Sequence, residues 1–245
     1  MTDTYTKNIK SQILAWGAAL VGVADLAPLK DLQTYPPDLL GPFSSAVSVA
    51  VELPVWIFEM ISDRPTPIYK SAYETANRLL DEVALRAALL LQSDGFHSLP
   101  VPASQIVDKK NLCGAITHKA VARMAGLGWQ GKNLLIITPK YGSRVRLATV
   151  LTEAPLAADG PLENRCGECT LCRDACPVGA IRGVNTKSHY GSRDEAMFFS
   201  RCADKLMGEF ARLPEIGTPI CGICIKVCPF GRKKGQHTKS LHAEQ

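Results

Sequence analysis

The sequence predicts an α+β protein in two parts, a core domain of alternating helices and strands followed by a small cysteine-rich lobe. Three observations predict it. Helix-type and strand-type apolar periodicities alternate up to about residue 152. A stretch rich in proline, alanine and glycine then follows at 153–164 (EAPLAADGPLEN). Beyond it, eight of the nine cysteines fall between 166 and 228. The expected division is therefore a domain at 1–152, a linker at 153–164, a lobe at 165–231 and a basic, disordered tail at 232–245. A chain of 245 residues suffices for one full core and a smaller lobe. No apolar run approaches the length that spans a bilayer.

The elements follow in order. Ile9, Ile13, Leu14 and Trp16 lie near helical spacing and predict a helix over 8–20. Residues 21–23 then read as a short strand. Residues 13–24 also resemble the apolar region of a secretory signal, but Gly17 and Gly22 punctuate them as a buried helix and a strand. Pro28 and Tyr35-Pro36-Pro37 mark loops. Residues 46–53 (AVSVAVEL) read as a strand. Pro65 and Pro67 are expected to break the chain before a long helix over 73–92, which Gly95 terminates. Its face of Ala76, Leu79, Leu80, Val83 and Ala87 reads as core. A helix over 116–125 ends at Gly126, and strands over 134–138 and 146–151 flank a turn at 139–142. Within the lobe, 194–212 reads as a helix carrying Cys202.

The cysteine spacing carries the chemistry. The first run is Cys166-x-x-Cys169-x-x-Cys172-x-x-x-Cys176-Pro177. The second is Cys221-x-x-Cys224-x-x-x-Cys228-Pro229, with Cys202 upstream. Two-residue spacers let three thiolates converge on one [4Fe–4S] core, and the cysteine before the proline ligates the other cluster. The expected sets are Cys166, Cys169, Cys172 and Cys228 for one cluster, and Cys176, Cys202, Cys221 and Cys224 for the other. Zinc and disulfides are the rivals. A three-cysteine run followed by C-x-x-x-C-P is not a usual zinc form, and disulfides need an oxidising compartment. Such thiolate clusters suit the reducing cytoplasm, which is the expected location.

Net charge is +5, and residues 109–146 hold eight lysines and arginines without one Asp or Glu. That segment predicts an anionic partner, either a phosphate-bearing cofactor or an acidic redox protein, or else a solvated face. Nucleic acid is not expected, because aromatic residues are not interleaved with the charges. The run Gly126-Leu127-Gly128-Trp129-Gln130-Gly131-Lys132 permits close backbone approach to a ligand. It follows a helix and precedes a strand, the reverse of a dinucleotide-binding turn, so a nicotinamide cofactor is excluded. Cys113 lies outside the cluster pattern and reads as a small buried hydrophobe or a redox thiol. His118 and Lys119 are the candidate proton donors. Trp129 and Tyr73 read as core aromatics that also suit packing against a macrocycle. His189, His237 and His242 carry no signal.

The stretch AGLGWQGKNLLIITPKYGSRVRLATVLTEAPL, followed by the two cysteine runs, resembles the epoxyqueuosine reductases and, more distantly, the reductive dehalogenases. The resemblance implies a nitroreductase-like α/β sandwich that binds cobalamin, then a ferredoxin-like lobe with two [4Fe–4S] clusters. It implies that Gly126, Gly128, Gly131, Lys132 and Tyr141 line a corrinoid cavity. FMN in the same cavity is the rival cofactor. Electrons would arrive from a low-potential donor of ferredoxin or flavodoxin type. Two departures shape the functional expectation. The acidic proton donor of the family falls where Asn111–His118 stand here, with Asp108 out of register. The sequence also stops soon after the second cluster, so the C-terminal helical domain that grips tRNA is expected to be absent. The expected function is therefore reduction of a small substrate at a corrinoid, ahead of tRNA epoxyqueuosine reduction. The alternatives are an activating protein that reduces a corrinoid on a partner protein, and a corrinoid-binding protein without turnover.

Overall fold

The computed structural model describes residues 2–232; the tail expected at 232–245 lies outside the described residues but for Arg232. Helix α1 (Thr2–Ala15) buries Ile9 and Ile13 and leads into strand β1 (Leu20–Asp25). Strand β2 (Ser45–Glu52) pairs antiparallel with β1, Leu20 opposite Ala50. After a short helix α2 (Val55–Glu59) comes the long helix α3 (Pro67–Ser93). Pro67 starts this helix rather than breaking the chain before it. Its missing N–H falls where no helical partner exists. Thr66 caps the turn, its hydroxyl accepting from the Tyr69 N–H at 3.1 Å.

Strand β3 (Ser98–Val101), helix α4 (His118–Met124), the two-residue strands β4 (Trp129–Gln130) and β5 (Ile136–Ile137), and strand β6 (Val145–Thr152) complete the core domain. The main sheet has the order β1-β2-β6-β3 and is antiparallel throughout. Strand β2 is buried on both faces. Val47, Val49 and Val51 join α1 and α3 in one core cluster, while Ala46 and Ala50 join α4 in another. Leu134 takes a left-handed conformation (φ 59°), which is why the strand expected over 134–138 shrinks to two residues.

The segment at 153–164 is tied down along the core. The Val23 N–H donates to Asp159, and Lys10 lies 2.6 Å from the same carboxylate. The lobe then holds the short helices α5 (Leu171–Asp174), α6 (Arg193–Ala196), α7 (Phe199–Asp204) and α8 (Ile223–Lys226). The single helix expected over 194–212 is broken, because buried Met197 bridges to Ile181 in extended conformation. The lobe packs into the core domain through Ile216, Ile220 and Ile223, and Arg232 pairs with Glu59 at 3.0 Å. Among the described residues no helix is long and apolar enough to cross a membrane.

A Cβ at Gly22 would collide with the Ala125 carbonyl, so the close seating of α4 on β1 requires glycine there. Gly22→Ala is expected to lower unfolding free energy by about 1–3 kcal/mol in chemical denaturation, the usual cost of overpacking. Unchanged stability would refute this account of the α4 contact.

Candidate functional site: two thiol groups beside a cavity

The first cysteines are set by the core domain. Asn164 donates to the Gln130 carbonyl at 3.0 Å and accepts from the Cys166 N–H at 2.8 Å, fixing the run to β4. The Cys169 N–H returns to the Cys166 carbonyl at 3.1 Å, and α5 starts at once. Cys166, Cys169, Cys172 and Cys228 surround one small apolar pocket with Lys132, Ile137 and Phe230. Cys176, Cys202 and Cys224, with Cys172 of the first set, pack against the buried Ala180, Tyr190 and Met197. Cys221 precedes Gly222, whose positive φ (89°) turns the chain into α8. A Cβ on Gly222 would strike Ile61, so this turn is pressed against the core domain.

The thiols influence one another. Burial and then the neighbouring Cys166, Cys228 and Cys169 push Cys172 up to about 11. Burial and then Cys221 and Cys176 push Cys202 up to about 11. Cys224 is raised well above the ordinary thiol value by burial and then by Cys221, Cys202, Cys172 and Cys176, so the two sets lie close enough to act on each other. Such thiols resist ionisation unless a cationic core draws off their charge. Among the described residues no three Cys, His, Asp or Glu side chains close on a point as a single metal ion requires. Ligands of a cubane stand further apart, around the whole iron–sulfur core.

Beside the thiol groups lies a cavity of about 530 Å³, within the usual range of cofactor and ligand sites. Its walls come from both parts of the chain. The core domain contributes Tyr35, Tyr69, residues 112–119, Gln130, residues 134–136 and Arg146, while the lobe contributes Tyr190, Arg193 and Ile225. Among the described residues three cations line it and no carboxylate does. The Arg146 guanidinium lies 4.3 Å from the Tyr73 ring centre and donates to Asn77 at 3.1 Å. Arg193 donates to the Asn111 carbonyl at 2.7 Å and lies 3.3 Å from Cys113 Sγ. Lys119 is pushed down to about 8, chiefly by burial and then by Arg193 and Arg146.

Several expectations require correction. Gly126, Gly128, Gly131, Lys132 and Tyr141 do not line the cavity. A Cβ at Gly126 would lie 2.7 Å from the Gly160 carbonyl oxygen, and one at Gly128 would strike the Ile137 carbonyl. These glycines let chain pack on chain. Lys132 is buried and donates to the Cys169 carbonyl at 3.0 Å, and Tyr141 abuts Gly231. His118 reaches the cavity wall, but its ring nitrogens contact Thr149 at 2.8 Å and the Pro102 carbonyl at 3.0 Å. Burial pushes it down to about 4, so it is neutral at pH 7 and holds no proton to deliver. Asp108 accepts from Tyr35 at 2.7 Å and is held down to about 2, an ionised carboxylate outside the cavity wall. The one-sign segment is not an open patch, since Lys132 and Arg144 are buried and Arg146 turns into the cavity. Lys109, Lys110 and Lys140 stay exposed. Cys113 is half-buried in the cavity wall rather than in the core. The wall residues Tyr35, Tyr190 and Arg193 follow no sequence motif and escaped the spacing argument, while Gln130 is the one member of the glycine-rich run 126–132 that reaches the wall.

This geometry defines a class, a two-cluster iron–sulfur protein with a cofactor-sized cavity, and residues 165–231 match the 4Fe-4S double cluster binding domain. Over 133 residues the chain is 40% identical to an epoxyqueuosine reductase of Bacillus subtilis, covering 54% of this chain and 32% of that protein. Identity to the epoxyqueuosine reductase of Bacillus anthracis is 40% over 127 residues, with 51% and 32% covered. The matched stretch thus spans about a third of these relatives. A solved epoxyqueuosine reductase with an epoxyqueuosine-modified tRNA stem loop aligns at TM-score 0.64 and 26% identity, over 93% of this chain and 65% of that one. A catabolic reductive dehalogenase aligns at TM-score 0.74 and 20% identity, over 95% and 32%, a likeness of fold. The chain is therefore similar to the epoxyqueuosine reductases, and it shares its mixed helix-and-sheet fold with the reductive dehalogenases. These findings overturn two expectations, that the function is reduction of a small substrate in preference to tRNA chemistry, and that nucleic acid is not a partner. The sequence relatives are named for the tRNA reaction, and one structural relative holds a tRNA stem loop.

His118 offers a test of the half-buried wall. Its proton affinity is lower in the folded than in the unfolded chain, so its contribution to stability is complete above pH 6.5 and is lost as pH falls toward 4. Denaturation curves of wild type and His118→Gln are expected to converge by about 3 kcal/mol across that window. A constant difference between them would show that His118 is not held neutral in the half-buried wall.

Proposed function

We propose that this chain is the reductase portion of an iron–sulfur enzyme that reduces epoxyqueuosine in tRNA, with two [4Fe–4S] clusters in the lobe and cobalamin in the cavity. The observation that carries this reading is the placement of the eight thiols beside a cavity that, among the described residues, is lined by cations and no carboxylate. The domain at 1–152 would hold the cavity and the lobe at 165–231 the clusters. Cys166, Cys169, Cys172 and Cys228 would ligate one cluster, and Cys176, Cys202, Cys221 and Cys224 the other. The cavity is smaller than cobalamin, a large macrocycle that carries a phosphodiester, and would take part of it, the rest lying at the open side. Arg146 and Arg193 supply fixed donors for such an anionic group, and Tyr35, Tyr69 and Tyr190 supply flat apolar walls. When bound, the clusters supply one-electron storage and cobalamin supplies a reducible cobalt centre.

The chain's own contribution is position and a proton. Removing oxygen from an epoxide to leave an alkene takes two electrons and two protons and releases water. Lys119 faces the cavity from a desolvated position and is the group there able to give a proton near neutral pH. Lys109 and Lys110 stand exposed on the loop whose later residues wall the cavity, which suits a phosphate backbone. Thiolate clusters of this kind persist in the reducing cytoplasm.

The test is anaerobic reconstitution, iron analysis, and mass spectrometry of nucleosides from tRNA that carries epoxyqueuosine. Queuosine formation, dependent on a reductant and on cobalamin, is expected. Its absence from protein holding both clusters and cobalamin would sink the proposal. Lys119→Met is expected to lower turnover by about 10²–10⁴. The acid form of Lys119 predominates below its own value, so wild-type activity is expected to fall as pH rises through about 8. An unaltered pH profile in Lys119→Met would remove Lys119 from the reaction.

A further inference from the structure

The core domain sends a side-chain donor into the first thiol group. Trp129 is fully buried in the β4–β5 hairpin, opposite Ile137, and its indole N–H lies 3.4 Å from Cys166 Sγ. The ring cannot swing away, because Phe230 meets it edge-on with centroids 4.9 Å apart. A buried indole N–H is costly to leave unpaired. Its bond to Cys166 strengthens once that sulfur carries negative charge.

We propose that Trp129 tunes the reduction potential of the first cluster, raising it by a hydrogen bond to one of its four thiolates. This rests on the two-cluster reading above. Reduction adds negative charge that spreads onto the ligand sulfurs, and a donor aimed at one of those sulfurs stabilises the reduced form. The donor lies on the core domain, while three of the four thiolates of this set lie in the first run of the lobe, so the potential depends on how the two parts are seated. Trp129 does not line the cavity. Its role is tuning, and potential is its direct readout.

The experiment is a redox titration of the anaerobically reconstituted chain, followed by electron paramagnetic resonance, with iron measured on each sample. In Trp129→Phe, one of the two reduced-cluster signals is expected to move to lower potential while the other stays. A roughly tenfold change in the reduced-to-oxidised ratio at fixed potential is expected, about 59 mV for one electron. If Trp129→Phe loses iron, electron–nuclear double resonance of the reduced wild type carrying nitrogen-labelled indole decides. A nitrogen coupling to one cluster is then expected, and its absence would overturn the tuning role. Unchanged potentials in a variant with about eight irons would overturn the tuning role and leave the two-cluster reading intact. An equal shift of both signals would also overturn it. Wild-type protein that binds no clusters would overturn both.

Discussion

Crowding of partly buried thiols is the constraint that the rest of this fold serves. Cys172, Cys202 and Cys224 are harder to ionise, first because protein excludes water and then because their neighbours are thiols. Small loops with short helices cannot hold such a set rigid by themselves. The core domain therefore reaches into the lobe at several points. Trp129 backs Cys166, Lys132 takes the Cys169 carbonyl, and Asn164 fixes the entry of the first run. On the other side Gly222 lets the second run press against Ile61. What looks in sequence like a separate domain is a lobe that borrows its rigidity.

The same seating creates the cavity. Strand β6 delivers Arg146, the N-terminus of α4 delivers Lys119, and the lobe closes the space with Tyr190, Arg193 and Ile225. The charges there are one-signed because Asp108 is engaged elsewhere, by Tyr35 and Asn111. With no carboxylate among the described residues to answer them, Arg146 and Arg193 are anchored by neutral groups, namely Asn77, Tyr73 and the Asn111 carbonyl. That arrangement keeps their charge available to a ligand.

The two cysteine runs were legible because their spacing is local, and the structure gathers Cys166, Cys169, Cys172 and Cys228 at one pocket. The core face of α3 was legible because apolar periodicity over a long helix repeats many times. Its start was misjudged, since Pro67 signals the first turn when a capping threonine precedes it. The glycine-rich segment misled for a different reason. Glycine spacing reports close approach of backbone but not to what, and here the neighbours are Ile137 and Gly160. The cavity was illegible as a whole. Tyr35, Gln130, Arg146 and Arg193 meet only through the antiparallel sheet and the docking of the lobe, and no window of sequence contains them together. Basic residues in one run likewise say nothing of which way each side chain turns.

The cavity wall has a consequence for how such a protein would fail. Because Tyr190, Arg193 and Ile225 belong to the cysteine lobe, the enclosure is only as durable as that lobe. Oxidation that unseated the thiols would not leave an intact pocket short of electrons. It would open the pocket's roof and release whatever was kept there, so inactivation by oxygen would be a loss of containment as much as a loss of current.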